Sequence, residues 1–314
     1  MPTILLPFTR HSLAANAAIV RAAAVASVAS FSPSLGSSSD QLRFRAALDT
    51  RLSPVDKAAV ERLIREFPAL LDEKLTAALD SRHPSDVEEA LDGCDGAVLS
   101  SGSAVRPDEV VDMEASIVSA ANKLSGGVNL VKVSGPSGVM LWEAVGARSA
   151  SVVRGTTSMQ VLLEGRMRDM ICGRTLSMPG KQGKIAFLHP SDLAEVVARL
   201  LIGPVTTRDD SKQVYALTGP ESLSWEEVCK ELSKGLGDRV RYSSFPMWAM
   251  QPALWIKGVS ANAIAEEIAQ AKARETGAED GVTTTVAELL GRPPRTLIDF
   301  AKQHKDEWPK AEFK

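Results

Sequence analysis

Residues 85–99, SDVEEALDGCDGAVL, place a helix directly before a buried strand. Ser85, followed three residues later by Glu88, has the pattern of a capping box, in which each side chain pairs with the backbone amide of the other residue. After the turn at Gly93, the continuous apolar run Gly96–Leu99 is typical of a strand covered on both faces. The stretch therefore predicts one helix–strand repeat of an α/β protein.

The same alternation extends along the chain in both directions. Apolar runs predict further strands at Thr3–Leu6, Ala24–Phe31, Val128–Val133, Ala150–Arg154, Ile185–Leu188 and Gln213–Leu217. N-cap signals open helices at Ser53 before Pro54, at Asp192 with Glu195 and at Ser224 with Glu227. We expect an α/β fold in which a doubly wound parallel sheet is followed by a smaller, mainly helical C-terminal region. The expected division is 1–205, with a helical insertion at about 32–75, and 206–314 as a region covering the substrate and the carboxyl ends of the strands.

Composition excludes several classes of protein. The chain has 36 Lys and Arg against 39 Asp and Glu, a net charge of −3, so it lacks the basic field of a nucleic-acid binder. The three cysteines, Cys94, Cys172 and Cys229, form no C-x-x-C pair, which argues against a metal site and favours a reducing, cytoplasmic location. No apolar run approaches the ~20 residues that cross a bilayer, so we expect no membrane partner. The oligomeric state stays open.

The N-terminus allows two interpretations. Residues 1–39 contain no acidic residue and are rich in Ala and Ser, which is typical of a mitochondrial transit peptide. Alternatively, Thr3–Leu6 is the first strand of the sheet and an Ala-rich helix follows from about Leu13 to Ala24. We favour the strand and helix.

Four segments together resemble the NmrA-like branch of the atypical short-chain dehydrogenase/reductases. They are Asp86–Val98, Ala186–Val196, Tyr215–Ser224 and Leu290–Thr296. The resemblance covers most of the chain outside about 32–75 and implies a Rossmann-like sheet. It also implies a glycine-rich turn after the first strand that binds the diphosphate of a dinucleotide, and an arginine after the second strand for the 2′-phosphate of NADP.

The sequence departs from that family where the cofactor would bind. The loop from Leu6 to Asn16 contains no glycine, and Phe8, His11 and Ala14 stand at the family's glycine positions. Glycine is needed there because the backbone must approach the diphosphate closely. The predicted second strand ends at Phe31 without an arginine. We therefore expect no cofactor, with NADP as the alternative.

The usual redox residues are missing as well. Many short-chain dehydrogenases use Tyr-x-x-x-Lys as a proton donor, but neither Tyr215 nor Tyr242 is followed by lysine four residues on. Ser134 stands in the place of the catalytic serine of related reductases. Arg154 follows an apolar strand, and we expect a structural ion pair there.

The candidate site residues lie in loops after the strands, where ligands bind in open α/β sheets. The candidate catalytic residues are His11, His189, Arg10 and Ser134, and the candidate substrate-binding residues are Ser101, Ser137, Thr156, Met159, Trp248 and Trp255. Imidazole, guanidinium and hydroxyl groups suit proton transfer and oxyanion stabilisation. Structural interpretations are also open. His11 would fill the space that a diphosphate otherwise occupies, His189 would belong to a helix cap, and the Met and Trp side chains would belong to the core.

Three functions follow in order of preference. The first is a non-redox, cofactor-independent isomerase, cyclase or dehydratase acting on an apolar small metabolite, as in secondary metabolism. The second is an NAD(P)H-dependent oxidoreductase with atypical cofactor contacts. The third is a non-catalytic sensor or regulator, since the NmrA-like family includes such members.

Overall fold

A computed structural model of the 314-residue chain describes residues 3–8, 20, 43–49, 54–66, 71, 77–79, 83–100, 107–124, 128–135, 150–179, 183–202 and 213–310. The chain forms two compact units. Unit 1 comprises Met1–Arg154 and Leu193–Ala216, and unit 2 comprises Gly155–Asp192 and Leu217–Lys314. The predicted domain boundary near residue 205 stays a prediction.

The described elements alternate as an α/β protein requires. The strands are β1 (Thr3–Phe8), β2 (Arg43–Asp49), β3 (Ala77–Leu79), β4 (Gly96–Ser100), β5 (Asn129–Ser134), β6 (Ala150–Gly155), β7 (Thr175–Pro179), β8 (Lys184–Ile185), β9 (Gln213–Leu217), β10 (Leu223–Ser224) and β11 (Arg241–Phe245). The α-helices are α1 (Pro54–Glu66), α2 (Pro84–Leu91), α3 (Pro107–Lys123), α4 (Gly165–Cys172), α5 (Pro190–Ile202), α6 (Trp225–Leu236), α7 (Met250–Ile256), α8 (Ala261–Glu275), α9 (Thr285–Leu290) and α10 (Leu297–Gln303). Short 3-10 helices lie at Met159–Leu163, Met247–Ala249 and Lys305–Glu307.

A seven-stranded sheet has the order β3-β2-β1-β4-β5-β6-β9. The pairings from β3 across to β6 are all parallel. Strands β2 and β3 therefore lie on one side of β1. Strands β4, β5, β6 and β9 lie on its other side. This is the strand order of a doubly wound Rossmann-like sheet.

The second strand differs from the prediction. Arg43–Asp49, which we had assigned to a helical insertion, pairs in parallel with all six residues of β1. The predicted strand Ala24–Phe31 lies outside the described residues. The prediction was wrong because arginines at 43 and 45 break the apolar run that marks a buried strand, whereas 24–31 has such a run. Similarly, the predicted strand Ile185–Leu188 shortens to β8.

The structure contains the capping box predicted at Ser224 and lacks the one predicted at Ser85. Ser224 and Glu227 form a complete capping box at α6: the Glu227 amide donates to Ser224 Oγ over 3.3 Å, and the Ser224 amide donates to Glu227 Oε2 over 2.8 Å. The predicted box at Ser85 is wrong. Pro84 takes the first helical position of α2, so His83 becomes the N-cap and has no capping side-chain bond.

Close packing fixes β4 in the centre of unit 1. A Cβ atom on Gly96 would lie 3.0 Å from the Asn129 carbonyl oxygen and 3.1 Å from Ile4 Cδ1, so glycine allows neighbouring elements to approach. The buried Asn129 side chain donates to the Leu201 carbonyl over 3.2 Å. That bond satisfies one of the free carbonyls at the end of α5.

Unit 2 has its own hydrophobic core. Phe187, Phe300 and Trp308 are almost fully buried there, and the Trp308 indole donates to the Leu162 carbonyl over 2.9 Å. Strands β8 and β10 pair antiparallel, and β7 and β11 pair in parallel. In the part of the chain that the structure describes, no helix is both long and apolar enough to span a bilayer.

Two backbone segments of unit 2 cross closely at Gly219. A Cβ atom on Gly219 would lie 2.0 Å from the Phe187 carbonyl oxygen, a distance that neither backbone can accept without moving. The Gly219 amide donates to the Ala186 carbonyl over 3.3 Å, which holds the two segments together. This explains why the sequence has glycine within the Tyr215–Ser224 segment.

We expect Gly219→Ala to destabilise unit 2 by about 1–3 kcal/mol or more, because the added methyl group forces a backbone shift. The urea midpoint of unfolding measures the effect. Gly281→Ala is the matched control, since a Cβ there meets nothing within 4 Å. Equal midpoints for the two variants would contradict the close approach of the Gly219 and Phe187 backbones.

Candidate functional site

The carboxyl edge of the sheet in unit 1 carries the first candidate site. Because β1 pairs with both β2 and β4, the strand order reverses at β1, and ligands of open α/β sheets bind outside the carboxyl ends at such a reversal. Asp49 is the last residue of β2, Ser100 of β4 and Ser134 of β5. The edge therefore presents an acidic residue and two hydroxyl-bearing residues.

Arg154 adds an unusual group to this edge. It is the register partner of Ser134 in adjacent parallel strands, so the two residues lie side by side. Arg154 Nε is buried and has no hydrogen-bond partner. No ion pair joins Arg154 to another described residue, so the structural ion pair that we expected is not found among them. A buried guanidinium donor without an acceptor costs about 1–3 kcal/mol, which indicates a place for a ligand acceptor.

A buried ion pair lies beneath the same edge. Lys132 of β5 pairs with Glu114 of α3, and both side chains are buried. Burial lowers the pKa of Lys132, while the Glu114 carboxylate opposes that shift. Lys132 is two residues before Ser134, so both point to the same face of the sheet. The pair was not predicted from the sequence, although a lysine inside the apolar run 128–133 was its signal.

His189 lies in the core of unit 2, with 1% of its surface exposed. Its Nδ1 accepts a hydrogen bond from the Ser191 amide over 3.1 Å, so Nε2 carries the proton. Nε2 is buried without a partner, and the ring packs edge-on against Phe300 with centroids 5.4 Å apart. Burial lowers the pKa of His189 to about 4, and Arg295 and Arg292 add to that effect against Asp192. These surroundings favour a structural role, and catalysis by His189 stays an untested prediction.

Asp192 connects two segments of this sequence that lie about 100 residues apart. Its fully buried carboxylate accepts hydrogen bonds from Arg292 Nη2 over 2.8 Å, from the Arg295 amide over 2.7 Å and from Arg295 Nη1. The first turn of α5 is thereby tied to the Gly-Arg-Pro-Pro-Arg segment. Asp192 had been predicted as a helix cap; it serves instead as the acceptor for both arginines.

The structure describes only some of the other candidate residues. Arg10, His11, Ser101 and Ser137 lie outside the described residues. Thr156 donates from Oγ1 to the Ala186 carbonyl over 2.5 Å, and Met159 is 1% exposed in the core of unit 2. Trp248 and Trp255 are 78% and 74% exposed, so the alternative interpretation of these two side chains as core is wrong. Substrate binding by these residues stays a prediction.

Comparison with known sequences gives partial matches to oxidoreductases, while no family model matches the chain. The chain is 31% identical over 160 residues to an uncharacterized oxidoreductase of Bacillus subtilis, covering 50% of this chain and 54% of the relative. It is 29% identical over 134 residues to agroclavine dehydrogenase of Claviceps fusiformis, covering 43% and 45%. Both matches span about half of the relative's length. The match to NAD(P)H azoreductase of Xenophilus azovorans is longer. The chain is 29% identical to this relative over 245 residues, which cover 73% of this chain and 82% of the relative.

Comparison with solved structures confirms the Rossmann-like α/β fold. Triphenylmethane reductase of Citrobacter sp., complexed with NADP(H), has a TM-score of 0.69 at 12% identity and covers 96% of this chain and 99% of its own. The NADPH-dependent quinone oxidoreductase of Escherichia coli, complexed with NADPH, has a TM-score of 0.67 at 16% identity, with 96% and 99% covered. A nucleoside-diphosphate-sugar epimerase of Staphylococcus aureus has a TM-score of 0.67 at 17% identity, with 96% and 100% covered.

These findings correct two predictions. A non-redox, cofactor-independent isomerase, cyclase or dehydratase is wrong as the leading function, because the relatives are oxidoreductases and two structural neighbours hold NADP(H). The expectation of no cofactor is wrong for the same reason. Both rested on the absence of glycine from the sequence after β1, in residues that the structure does not describe. The relatives support the expectation of an enzyme, and they favour the redox alternative.

We expect His189 to make stability depend on pH. The unfolded side chain takes up a proton near pH 6.5, and the folded ring does so only near pH 4. The unfolded state therefore binds more protons between these values, and stability falls by about 3 kcal/mol as pH drops across them. His189→Gln should flatten that part of the curve in urea unfolding, and His83→Gln, at the exposed α2 cap, should not. Equal slopes in wild type and His189→Gln would contradict the buried neutral ring.

Proposed function

We propose that the chain is an NAD(P)H-dependent oxidoreductase of the NmrA-like, atypical short-chain dehydrogenase/reductase type, acting on a small organic acceptor. The partial matches to oxidoreductases support this proposal, and so does the strand reversal at β1. The observation that carries it is the unpartnered, buried Arg154 Nε at the carboxyl edge of the sheet.

The position of Asp49 in the sheet supports dinucleotide binding. Asp49 ends β2, which is the position where Rossmann proteins place an acidic residue against the ribose hydroxyls. In the sequence Arg51 follows two residues later, outside the described residues, and a positive group near this position accommodates a 2′-phosphate. Asp49 would therefore hold the adenosine ribose. A bound nicotinamide supplies a hydride to the acceptor.

Arg154 would act on the acceptor. Reduction of a quinone, enone or azo group places negative charge on an oxygen or nitrogen atom of the substrate. The buried Nε of Arg154 is a fixed donor that can hydrogen-bond to that atom as the charge develops, which stabilises the transition state more than the ground state. Ser134, its register partner, offers a hydroxyl at the same edge.

We expect Arg154→Met to lower kcat/KM for NAD(P)H oxidation with a soluble quinone by about 10²–10³, the usual cost of losing one oxyanion donor. The decrease of nicotinamide absorbance measures the rate. Arg154→Lys should fall between Met and wild type, because it keeps a cation but loses Nε. Arg199→Met, on the exposed surface of α5, is the matched control and should retain full activity.

Separate measurement of nucleotide binding distinguishes substrate contact from cofactor contact. The Kd of Arg154→Met for NADH and NADPH should stay within about twofold of wild type. A large loss of nucleotide affinity with unchanged kcat would place Arg154 on the cofactor and contradict its assigned role. Absence of NAD(P)H oxidation with quinone, azo and triarylmethane acceptors by folded wild-type protein would contradict the proposed function.

A further inference from the structure

Unit 2 contains a cavity of about 210 Å³ that none of the preceding roles uses. Its apolar wall consists of Val161, Met167, Met178, Trp225 and Met250. Met178 and Met250 are buried, and 7% of the Trp225 surface is exposed. Ligand pockets usually measure about 300–1,000 Å³, so this cavity suits a small molecule of roughly two fused rings.

The wall favours a flat aromatic molecule. Three methionine thioethers line the cavity together with the indole of Trp225, and methionine sulfur makes favourable contacts with aromatic rings. The indole face also attracts a cation, because the ring carries negative potential above its plane. The apolar wall alone would accept neutral and charged aromatic molecules alike. The charged residues that line the cavity, which we call its rim, therefore determine the charge of the preferred ligand.

Both arginines that line the cavity are already neutralised. Arg166 of α4 pairs with Glu267 of α8. Arg274 donates from Nε to Glu279 Oε1 over 3.2 Å, and 6% of the Glu279 side chain is exposed. Neither guanidinium is therefore available as a free positive charge for an anionic ligand.

Two lining carboxylates have no such partner. Glu164 and Glu275 line the cavity, both are exposed, and neither forms an ion pair with any residue that the structure describes. With the two arginines paired, the described rim carries an excess of negative charge. Opposite charges close to a site favour a cation and disfavour an anion.

We propose that this cavity binds a small planar aromatic cation, such as an arylalkyl amine in its protonated form. The rings would pack against Trp225 and the methionines, and the ammonium group would face Glu164 and Glu275. This site needs no nucleotide and does not rest on the proposed reductase activity.

Calorimetric titration of the full chain without nucleotide tests the charge preference. The probes are 1-naphthylmethylamine, 1-naphthalenemethanol and 1-naphthoate, which share one ring system and differ in charge at neutral pH. We expect the amine to bind about tenfold more tightly than the naphthoate, with the alcohol between them, since each exposed carboxylate contributes roughly two- to fivefold. Added salt should narrow the difference. Equal affinities, tighter naphthoate binding or no binding of any probe would overturn the proposal.

Variants on one helix locate the site. Ala271 of α8 is 8% exposed and lines the cavity, whereas Ala273 is exposed and does not. Ala271→Phe should fill the cavity and abolish amine binding, and Ala273→Phe should leave it unchanged. Equal binding by the two variants would overturn the location.

A second pair of variants covers the case in which Ala271→Phe fails to fold. Glu275→Gln, at an exposed position, should weaken the amine about two- to fivefold and leave the alcohol unchanged. Glu221→Gln, exposed elsewhere in unit 2, should change neither. Loss of alcohol affinity together with amine affinity, or no effect on the amine, would overturn the role of the rim. Because no nucleotide is present, these outcomes are independent of the reductase assay.

Discussion

Strand β1 needs hydrogen-bonded neighbours on both sides, and the sheet supplies β2 on one side and β4 on the other. Because the connections between parallel strands run back across the sheet, this pairing forces the chain to reverse its direction of growth at β1. In open α/β sheets, such a reversal separates the crossovers and leaves a crevice at the carboxyl ends of the strands. Gly96 permits the close packing of β4 that the arrangement requires. The candidate cofactor site follows from this one constraint.

The other buried charged groups that the structure describes have partners within the chain, which gives Arg154 its significance. Asp192 accepts from both Arg292 and Arg295. Glu279 accepts from the Thr157 amide over 2.9 Å and from Arg274, and Lys132 pairs with Glu114. Each of these groups offsets its desolvation through a partner inside the chain. Arg154 Nε departs from this pattern at the edge where ligands of such sheets bind, so a partner from outside the chain is the simplest physical account.

The sequence predicted the fold class and much of the sheet, because buried parallel strands have apolar runs that need no tertiary information. β4, β5, β6 and β9 were found to within a residue or two. β2 was missed because Arg43 and Arg45 interrupt the apolar run that is typical of a buried strand. The side-chain contacts could not be predicted, because contacts such as Arg295 to Asp192 join residues 103 apart and no local pattern encodes them. The function inferred from the missing glycines after β1 was wrong, because the relatives are oxidoreductases.

The proposed oxidoreductase activity requires a nicotinamide dinucleotide to bind at the β1 edge of the sheet although the sequence after β1 lacks glycine. Calorimetric titration of the full chain with NADH and NADPH measures this binding. We expect a saturable, one-to-one response with at least one of the two nucleotides, with Kd on the order of 1–100 μM or −8.2 to −5.5 kcal/mol. Folded protein that binds neither nucleotide at millimolar concentration would contradict it.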